Sequence, residues 1–265
     1  MKPAPFDYVR PESLDDALGA LAADGGGEAK VLAGGQSLVP ALNMRLLRPT
    51  LLVDVNRVAG LDDVATEDGA LRVGATVRQA DLRLHAHPAL AAVLPHVGHT
   101  VTRNRGTVCG SIAHADAAAE LPLALVAFGG TAVAASTRGR REIPAENLFL
   151  GPYATALAPD ELVVETLWPM PGKGDGFAFD ELAQRGGDYA LCMAAARVRG
   201  DEVRVVVGSV TPVPTVVEVD PERPGESAAE QVEPWGSIHA SPDYLRQLVR
   251  VLVDRVVAQA RVRAA

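Results

Sequence analysis

Near the start of the chain, segments with helical spacing of apolar residues alternate with short continuous apolar runs. Ser13 suits an N-cap, and Asp15 and Asp16 behind it suit the positive end of a helix over residues 14–23. Gly25-Gly26-Gly27 ends that helix. A short strand over 30–33 runs into a Gly34-Gly35 turn, a helical pattern over 37–47 is stopped by Pro49, and residues 51–55 form a second strand. Strand, turn, helix and strand in this order predict a compact α/β unit with parallel strands.

From Gly60 to about Trp168 the pattern changes. Residues 71–75 alternate as a half-buried strand, and 77–84 and 88–94 have helical spacing. Strands are predicted over 131–136 and 161–167, with Arg138-Gly139-Arg140 as the turn after the first. Pro169-Met170-Pro171-Gly172-Lys173-Gly174 is dense in residues that continue neither helix nor strand, and reads as a linker. Beyond it, alternating runs over 189–199 and 202–210 meet at Gly200-Asp201, a hairpin signal. Residues 220–233 are acidic, contain Pro and Gly and lack aromatics, which predicts a mobile loop. Ser241-Pro242-Asp243 then opens a long amphipathic helix to residue 260, with Pro at its first position.

Composition narrows the class. A chain of 265 residues has room for two domains or one large one. Hydrophobic residues at 48% and charged residues at 22% exclude whole-chain disorder, and aromatics at only 4% leave burial to Ala, Val and Leu. Lys and Arg number 25 against 33 Asp and Glu, a net charge of −8 that, with so few rings, argues against a nucleic-acid binder. Two cysteines, Cys109 and Cys192, exclude a disulfide framework and any all-cysteine iron–sulfur or zinc site within the chain. The first residues lack the apolar stretch of a signal peptide, and the longest apolar run, 121–130, falls short of the ~20 residues a bilayer requires, so a soluble cytoplasmic protein is expected.

Candidate chemistry lies in four places. Val31-Leu32-Ala33-Gly34-Gly35-Gln36-Ser37-Leu38 puts two glycines between a strand and a helix, where successive N–H groups converge into an anion nest at a helix N-terminus. A tight turn with Ser37 as a helix cap accounts for the same residues, and the segment is neither a Walker A loop nor G-x-G-x-x-G. Gly106-Thr107-Val108-Cys109-Gly110-Ser111-Ile112-Ala113-His114-Ala115-Asp116, continuing to Glu120, offers hydroxyl and backbone donors for phosphate and carboxylates for sugar hydroxyls, or alternatively a turn and a helix cap. It is not the G-x-S-x-G elbow of a hydrolase. The histidines at 85, 87, 96 and 99 lack acidic or thiol partners at ligand spacing, so they are assigned to the surface rather than to a metal. Arg185-Gly186-Gly187-Asp188-Tyr189-Ala190 is a hairpin corner, or a device that presents Tyr189 to a planar ligand.

In order and spacing these segments resemble the FAD-binding medium subunit of the molybdenum hydroxylases, the carbon monoxide dehydrogenase and xanthine dehydrogenase group. The likeness covers nearly the whole chain. It is carried by Phe6-Asp7-Tyr8, Ala33-Gly34-Gly35-Gln36-Ser37-Leu38, Arg103-Asn104-Arg105-Gly106-Thr107, Ala113-His114-Ala115-Asp116 and Ala118-Ala119-Glu120-Leu121-Pro122. Arg185 with Gly187-Asp188-Tyr189-Ala190 and the tail from His239 to Arg246 complete it. The resemblance implies an α+β fold: a vanillyl-alcohol-oxidase-type FAD-binding domain over 1–170, in two α/β subdomains of about 1–57 and 58–170. A C-terminal domain with a small antiparallel sheet and helices would follow over 175–265.

It also implies that residues 31–38 and Thr107, Gly110 and Ser111 clamp the FAD pyrophosphate. His114, Asp116 and Glu120 would lie near the ribityl and phosphate portion, and Tyr189 would cover the flavin ring. The chain would take electrons from a small iron–sulfur subunit and pass them to an external acceptor, while a large molybdopterin subunit oxidises the substrate. No catalytic acid–base residue and no metal ligand is assigned. Two readings stand beside this one: a stand-alone FAD-dependent enzyme, and a flavin-free binding module that kept the fold. Two residues depart from the family pattern. Cys109 replaces the first glycine of the second loop, where a Cβ at positive φ would cost roughly 1–2 kcal/mol and crowd the phosphate. Ala117 replaces a proline, which loosens the following turn.

Overall fold

The computed structural model describes residues 2–24, 28–84 and 87–265. Gly25-Gly26-Gly27 and His85 therefore lie outside the described residues. The chain begins with β1 (Asp7–Val9), α1 (Leu14–Ala23), β2 (Lys30–Leu32), α2 (Leu38–Asn43) and β3 (Leu51–Asp54). The strands form a parallel sheet in the order β1-β3-β2, with Tyr8 opposite Leu52 and Val31 opposite Val53. Ser13 caps α1 by accepting from the Asp16 N–H at 3.1 Å, and the helix buries Ala17, Leu18 and Leu21. α2 is shorter than its apolar pattern suggests. Arg45 turns left-handed at φ +57°, and the Leu46 N–H reaches back to the Ala41 carbonyl at 2.9 Å, which closes the helix early.

The next stretch holds β4 (Val64–Glu67), β5 (Ala70–Gly74), α3 (Pro88–Val93), α4 (Thr100–Arg103), α5 (Val108–His114), α6 (Glu120–Phe128), β6 (Thr131–Ser136), β7 (Gly139–Pro144), α7 (Ala145–Leu148), β8 (Phe149–Gly151), β9 (Ala154–Thr155) and β10 (Leu162–Pro169). Five of these strands form an antiparallel sheet in the order β4-β5-β10-β6-β7, and β8 and β9 pair as a hairpin. Of the helical pattern over 77–84, only a 3-10 turn over Asp81–Leu84 forms. β7, absent from the sequence reading, is an edge strand that exposes Arg140, Arg141 and Glu142, so no apolar alternation announced it. Gly139 belongs to β7, which moves the turn to Thr137-Arg138. Every residue of α6 is buried; the longest apolar run is a core helix. Among the described residues no helix is long and apolar enough to cross a membrane.

The last stretch contains β11 (Asp175–Ala183), β12 (Ala190–Arg199), β13 (Glu202–Gly208), β14 (Thr215–Val217), α8 (Pro224–Glu230) and α9 (Pro242–Ala264). The strands are antiparallel in the order β11-β12-β13-β14, and Gly200, at φ +57°, turns β12 into β13. Alternation along β12 divides its side chains between two cores. Met193 and Ala195 join the core that contains α6, whereas Cys192, Ala194 and Ala196 join one with Val249, Val253 and Val256 of α9. Ser241 caps α9 through the Tyr244 N–H at 3.3 Å. Residues 220–233 are not a bare loop. α8 forms within them and packs on α9, where the Gly225 N–H donates to Asp254 Oδ1 at 2.7 Å.

Candidate functional site

The first glycine loop leaves β2 through Ala33 and enters α2 at Leu38, with Val31 and Leu32 as its strand root. Gly35 sits at φ +72°, a conformation that excludes a Cβ on steric grounds. Gly34 is constrained differently. A Cβ there would lie 2.5 Å from the Arg105 carbonyl oxygen, 2.8 Å from Gly106 Cα and 3.0 Å from the Thr107 nitrogen. The two glycine-containing loops are thus in backbone contact, and glycine at 34 is what permits it. α2 is only six residues long, too short to contribute an extended helix dipole. Ser37 flanks α2 without making a side-chain cap bond. Gln36 is exposed and folds its amide back to the Gly34 carbonyl at 3.3 Å.

A polar network ties the two loops together through their carbonyls. Asn56 Nδ2 donates to the Ala33 carbonyl at 2.9 Å, and the Arg78 guanidinium donates to Asn56 Oδ1 and to the Arg105 carbonyl, both at 2.6 Å. The Gln79 N–H takes the Gly106 carbonyl at 2.9 Å, and its side-chain amide takes that of Thr107 at 3.3 Å. In the second segment the N–H groups of Arg105, Gly106, Val108, Gly110 and Ser111 are themselves bonded, to oxygens of Thr102, Val77 and Thr107. Asp54 anchors the network by accepting from Asn56 at 2.6 Å and from the Tyr8 hydroxyl. Burial acts to raise the Asp54 carboxyl, but the bonds from Tyr8 and Asn56 outweigh it and hold the group below its ordinary range. Burial, followed by the neighbouring charge of Arg105, lowers Arg78. A cleft of about 360 Å³ opens beside the first loop, lined by Gly34, Gly35, Gln36, Asp54, Asn56 and Arg105 among others. Sequence reasoning assigned no role to Asn56, Arg78 or Gln79. The available signal was a polar Asp54-Val55-Asn56 step directly after a buried strand.

The second loop begins with Thr107, whose Oγ1 caps α5 by accepting from the Gly110 N–H at 3.0 Å. Cys109 overturns the expectation of strain. It lies within α5, is absent from the positive-φ residues and is only 2% exposed. Its side chain points into the core, with Sγ 3.3 Å from the Val73 carbonyl, and burial pushes the thiol up to about 12. The side of the loop away from the core is therefore not crowded by it. Ser111 is half-buried on the following turn.

His114 ends α5, and Ala115, left-handed at φ +51°, turns the chain outward. Burial lowers His114 in spite of Asp116 nearby. Asp116 accepts from the Ala118 N–H at 3.0 Å and from the Tyr153 hydroxyl at 3.3 Å. The looser turn expected at Ala117 is held by that bond and by the Ser209 N–H donating to the Ala117 carbonyl at 3.0 Å. Tyr189 lies on the β11–β12 connection. The residue keeps 60% of its surface, yet desolvation of the phenol and then Asp116 push it up. Its loop is set by Gly187, at φ +87° and too close to the His99 ring for any side chain. Glu120 stands behind this group at the start of α6, 5% exposed, and burial raises it to about 7, helped by Glu181. Glu181 pairs with His96 at 3.1 Å.

The structure therefore gathers residues 33–36 with Thr107 at one end of α5, and His114 and Asp116 at the other. Tyr153 joins the second group without any signal in the sequence. Not all the histidines are at the surface. His87 is fully buried against Phe128 and Trp168, with Nε2 3.0 Å from the Pro169 carbonyl, and burial lowers it.

Residues 4–171 match the family described as the FAD binding domain in molybdopterin dehydrogenase. Over its whole length the chain is 40% identical to the 6-hydroxypseudooxynicotine dehydrogenase complex subunit alpha of Paenarthrobacter nicotinovorans, of which it covers 97%. It is 36% identical to the nicotine 6-hydroxylase medium subunit of the same organism, with 99% of this chain and 100% of that one covered. Among solved structures, a chain of carbon monoxide dehydrogenase from Hydrogenophaga pseudoflava superposes with a TM-score of 0.94 at 30% identity, with both chains fully covered.

Proposed function

Since the chain belongs to the FAD-binding medium subunits of the molybdenum hydroxylases, an oxidoreductase family, we propose that it carries electrons between an iron–sulfur partner and an external acceptor. Bound FAD would supply the redox chemistry, receiving electrons from the clusters of a small iron–sulfur subunit while a large molybdopterin subunit oxidises the substrate. The chain's own residues bind and orient the cofactor. The 31–38 loop, with Thr107, Gly110 and Ser111, holds the pyrophosphate through N–H and hydroxyl donors. His114, Asp116 and Glu120 lie toward the ribityl portion, and Tyr189 covers the ring. We assign the FAD-binding domain to 1–170, of the vanillyl-alcohol-oxidase type with subdomains of about 1–57 and 58–170, and the C-terminal domain to 175–265. The separate residue ranges of the three larger sheets support this division.

The observation that carries the cofactor reading is the backbone contact of Gly34 with Arg105, Gly106 and Thr107. It places the two loops side by side, and backbone donors of the first with hydroxyl donors of the second suit a diphosphate better than the single phosphate of FMN. The test is calorimetric titration of the full chain with FAD and with FMN. FAD is expected to bind far more tightly. At Gly35 the positive φ and the 3.2 Å approach to Leu32 and Val39 leave no place for a branched side chain, so Gly35→Val distorts the loop. Each charge-assisted bond lost is worth about 1.5–3 kcal/mol, roughly a tenfold to hundredfold weakening. Unchanged FAD affinity in that variant would refute the loop assignment. Copurification with an iron–sulfur subunit and a molybdenum subunit tests the electron-transfer role, and a flavin-loaded chain that never associates with either would overturn it.

A further inference from the structure

Tyr153 stands at the tip of the β8–β9 hairpin with φ +59°, a left-handed backbone that is costly for a bulky residue. It is fixed from three directions. Its N–H donates to the Ala115 carbonyl at 2.8 Å, its hydroxyl donates to Asp116 Oδ2 at 3.3 Å, and its ring lies 5.0 Å from that of His114. Yet the residue keeps 64% of its surface. Ordering an aromatic side chain on a strained backbone costs entropy and energy that burial normally offsets, and here little burial occurs. A ring held out in this way is poised for a ligand. Tyr189, on the β11–β12 connection, is a second exposed ring, 60% of its surface open.

Position identifies the ligand's chemistry. α5 runs from its cap at Thr107 to His114, about 10 Å by helix rise. The glycine loops stand at one end and Tyr153 at the other. That separation is comparable to the reach of a ribityl chain between a phosphate and a flavin ring. Resting on the FAD reading above, we propose that Tyr153 is a second aromatic wall of the flavin-ring site, opposed to Tyr189. The strained hairpin tip is then the cost of presenting the ring, and the left-handed Ala115 is the turn that brings Asp116 and the hairpin together.

The test uses the full chain, with FAD and ADP as paired probes, because ADP shares the diphosphate but lacks the flavin ring. Tyr153→Leu is expected to weaken FAD about tenfold, as loss of one stacking ring does, and to leave ADP unchanged. Tyr153→Phe keeps the ring and holds FAD within about twofold of the parent. Tyr153→Gly fits the left-handed backbone, so it raises the melting temperature of the ligand-free chain while weakening FAD as the leucine variant does. Fluorescence of bound FAD, quenched by an adjacent phenol, brightens in the leucine and glycine variants. Unchanged FAD affinity and fluorescence in both would overturn the proposal while the FAD reading stands. Equal loss of FAD and ADP would overturn it in favour of a general structural role. A parent chain that binds neither ligand would refute the FAD reading itself.

Discussion

Replacing Cys109 by glycine removes a side chain that packs inside α5 against the Val73 carbonyl and the Thr166 hydroxyl, 3.3 Å and 3.7 Å from Sγ. Two costs add. Losing the buried CH2–SH group forfeits burial and leaves a small cavity, about 1–2 kcal/mol. Glycine in a helix interior adds roughly 0.5 kcal/mol relative to cysteine. No strain is relieved, because Cys109 has a helical backbone. A total near 2 kcal/mol lowers the melting temperature of a chain this size by about 4–8 °C. FAD affinity should change little, since the side chain faces the core and not the cleft. Added FAD should then raise the melting temperature of variant and parent by similar amounts, as ligand stabilisation depends only on free ligand over Kd. Calorimetric unfolding of both proteins, with and without FAD, is the assay, and Cys109→Ala separates the packing loss from the helix penalty. A glycine variant that melts higher, or binds FAD more tightly, would show that the loop is strained after all and refute this account.

Two further substitutions probe the site. Glu120 is raised from 4.5 to about 7 by burial, so its contribution to stability is fully present below about pH 4.5 and is lost as pH rises to about 7. The shift is worth on the order of 3 kcal/mol, and Glu120→Gln should therefore gain stability over the parent through that interval, with the gap constant above it; urea unfolding across the interval reads it, and a gap independent of pH would refute the assignment. Arg78→Met removes the donor shared by Asn56 and the Arg105 carbonyl, and so releases one glycine loop from the other. FAD and ADP should both weaken about tenfold or more with partial rescue in Arg78→Lys, as expected for the loss of a charged hydrogen bond; undiminished ADP binding would show that the loops hold their spacing without it.

What the sequence determined by itself rests on short-range physics. Ser13 with its acidic first turn set the start of α1, Gly200-Asp201 set a hairpin, Ser241-Pro242 opened α9, and β6 was legible over its full length because its apolar run is bounded by glycines and a turn. The glycine loops were legible as candidates for the same reason, since a glycine pair between strand and helix is a local signal. Tertiary structure decided the rest. α8 forms in an acidic stretch because α9 supplies its partner, with Gly225 lying against the Arg250 carbonyl and bonded to Asp254. Whether Cys109 was strained depended on its backbone angle, which the packing of α5 onto β5 and β10 fixes. His87 is buried because Phe128, Trp168 and the Pro169 carbonyl, all distant in sequence, enclose it. The link from Asn56 through Arg78 to Arg105, and the meeting of His114, Asp116 and Tyr153, join residues with no common period along the chain. Side-chain contacts between separate elements carry no periodicity, so only the folded chain brings them into view.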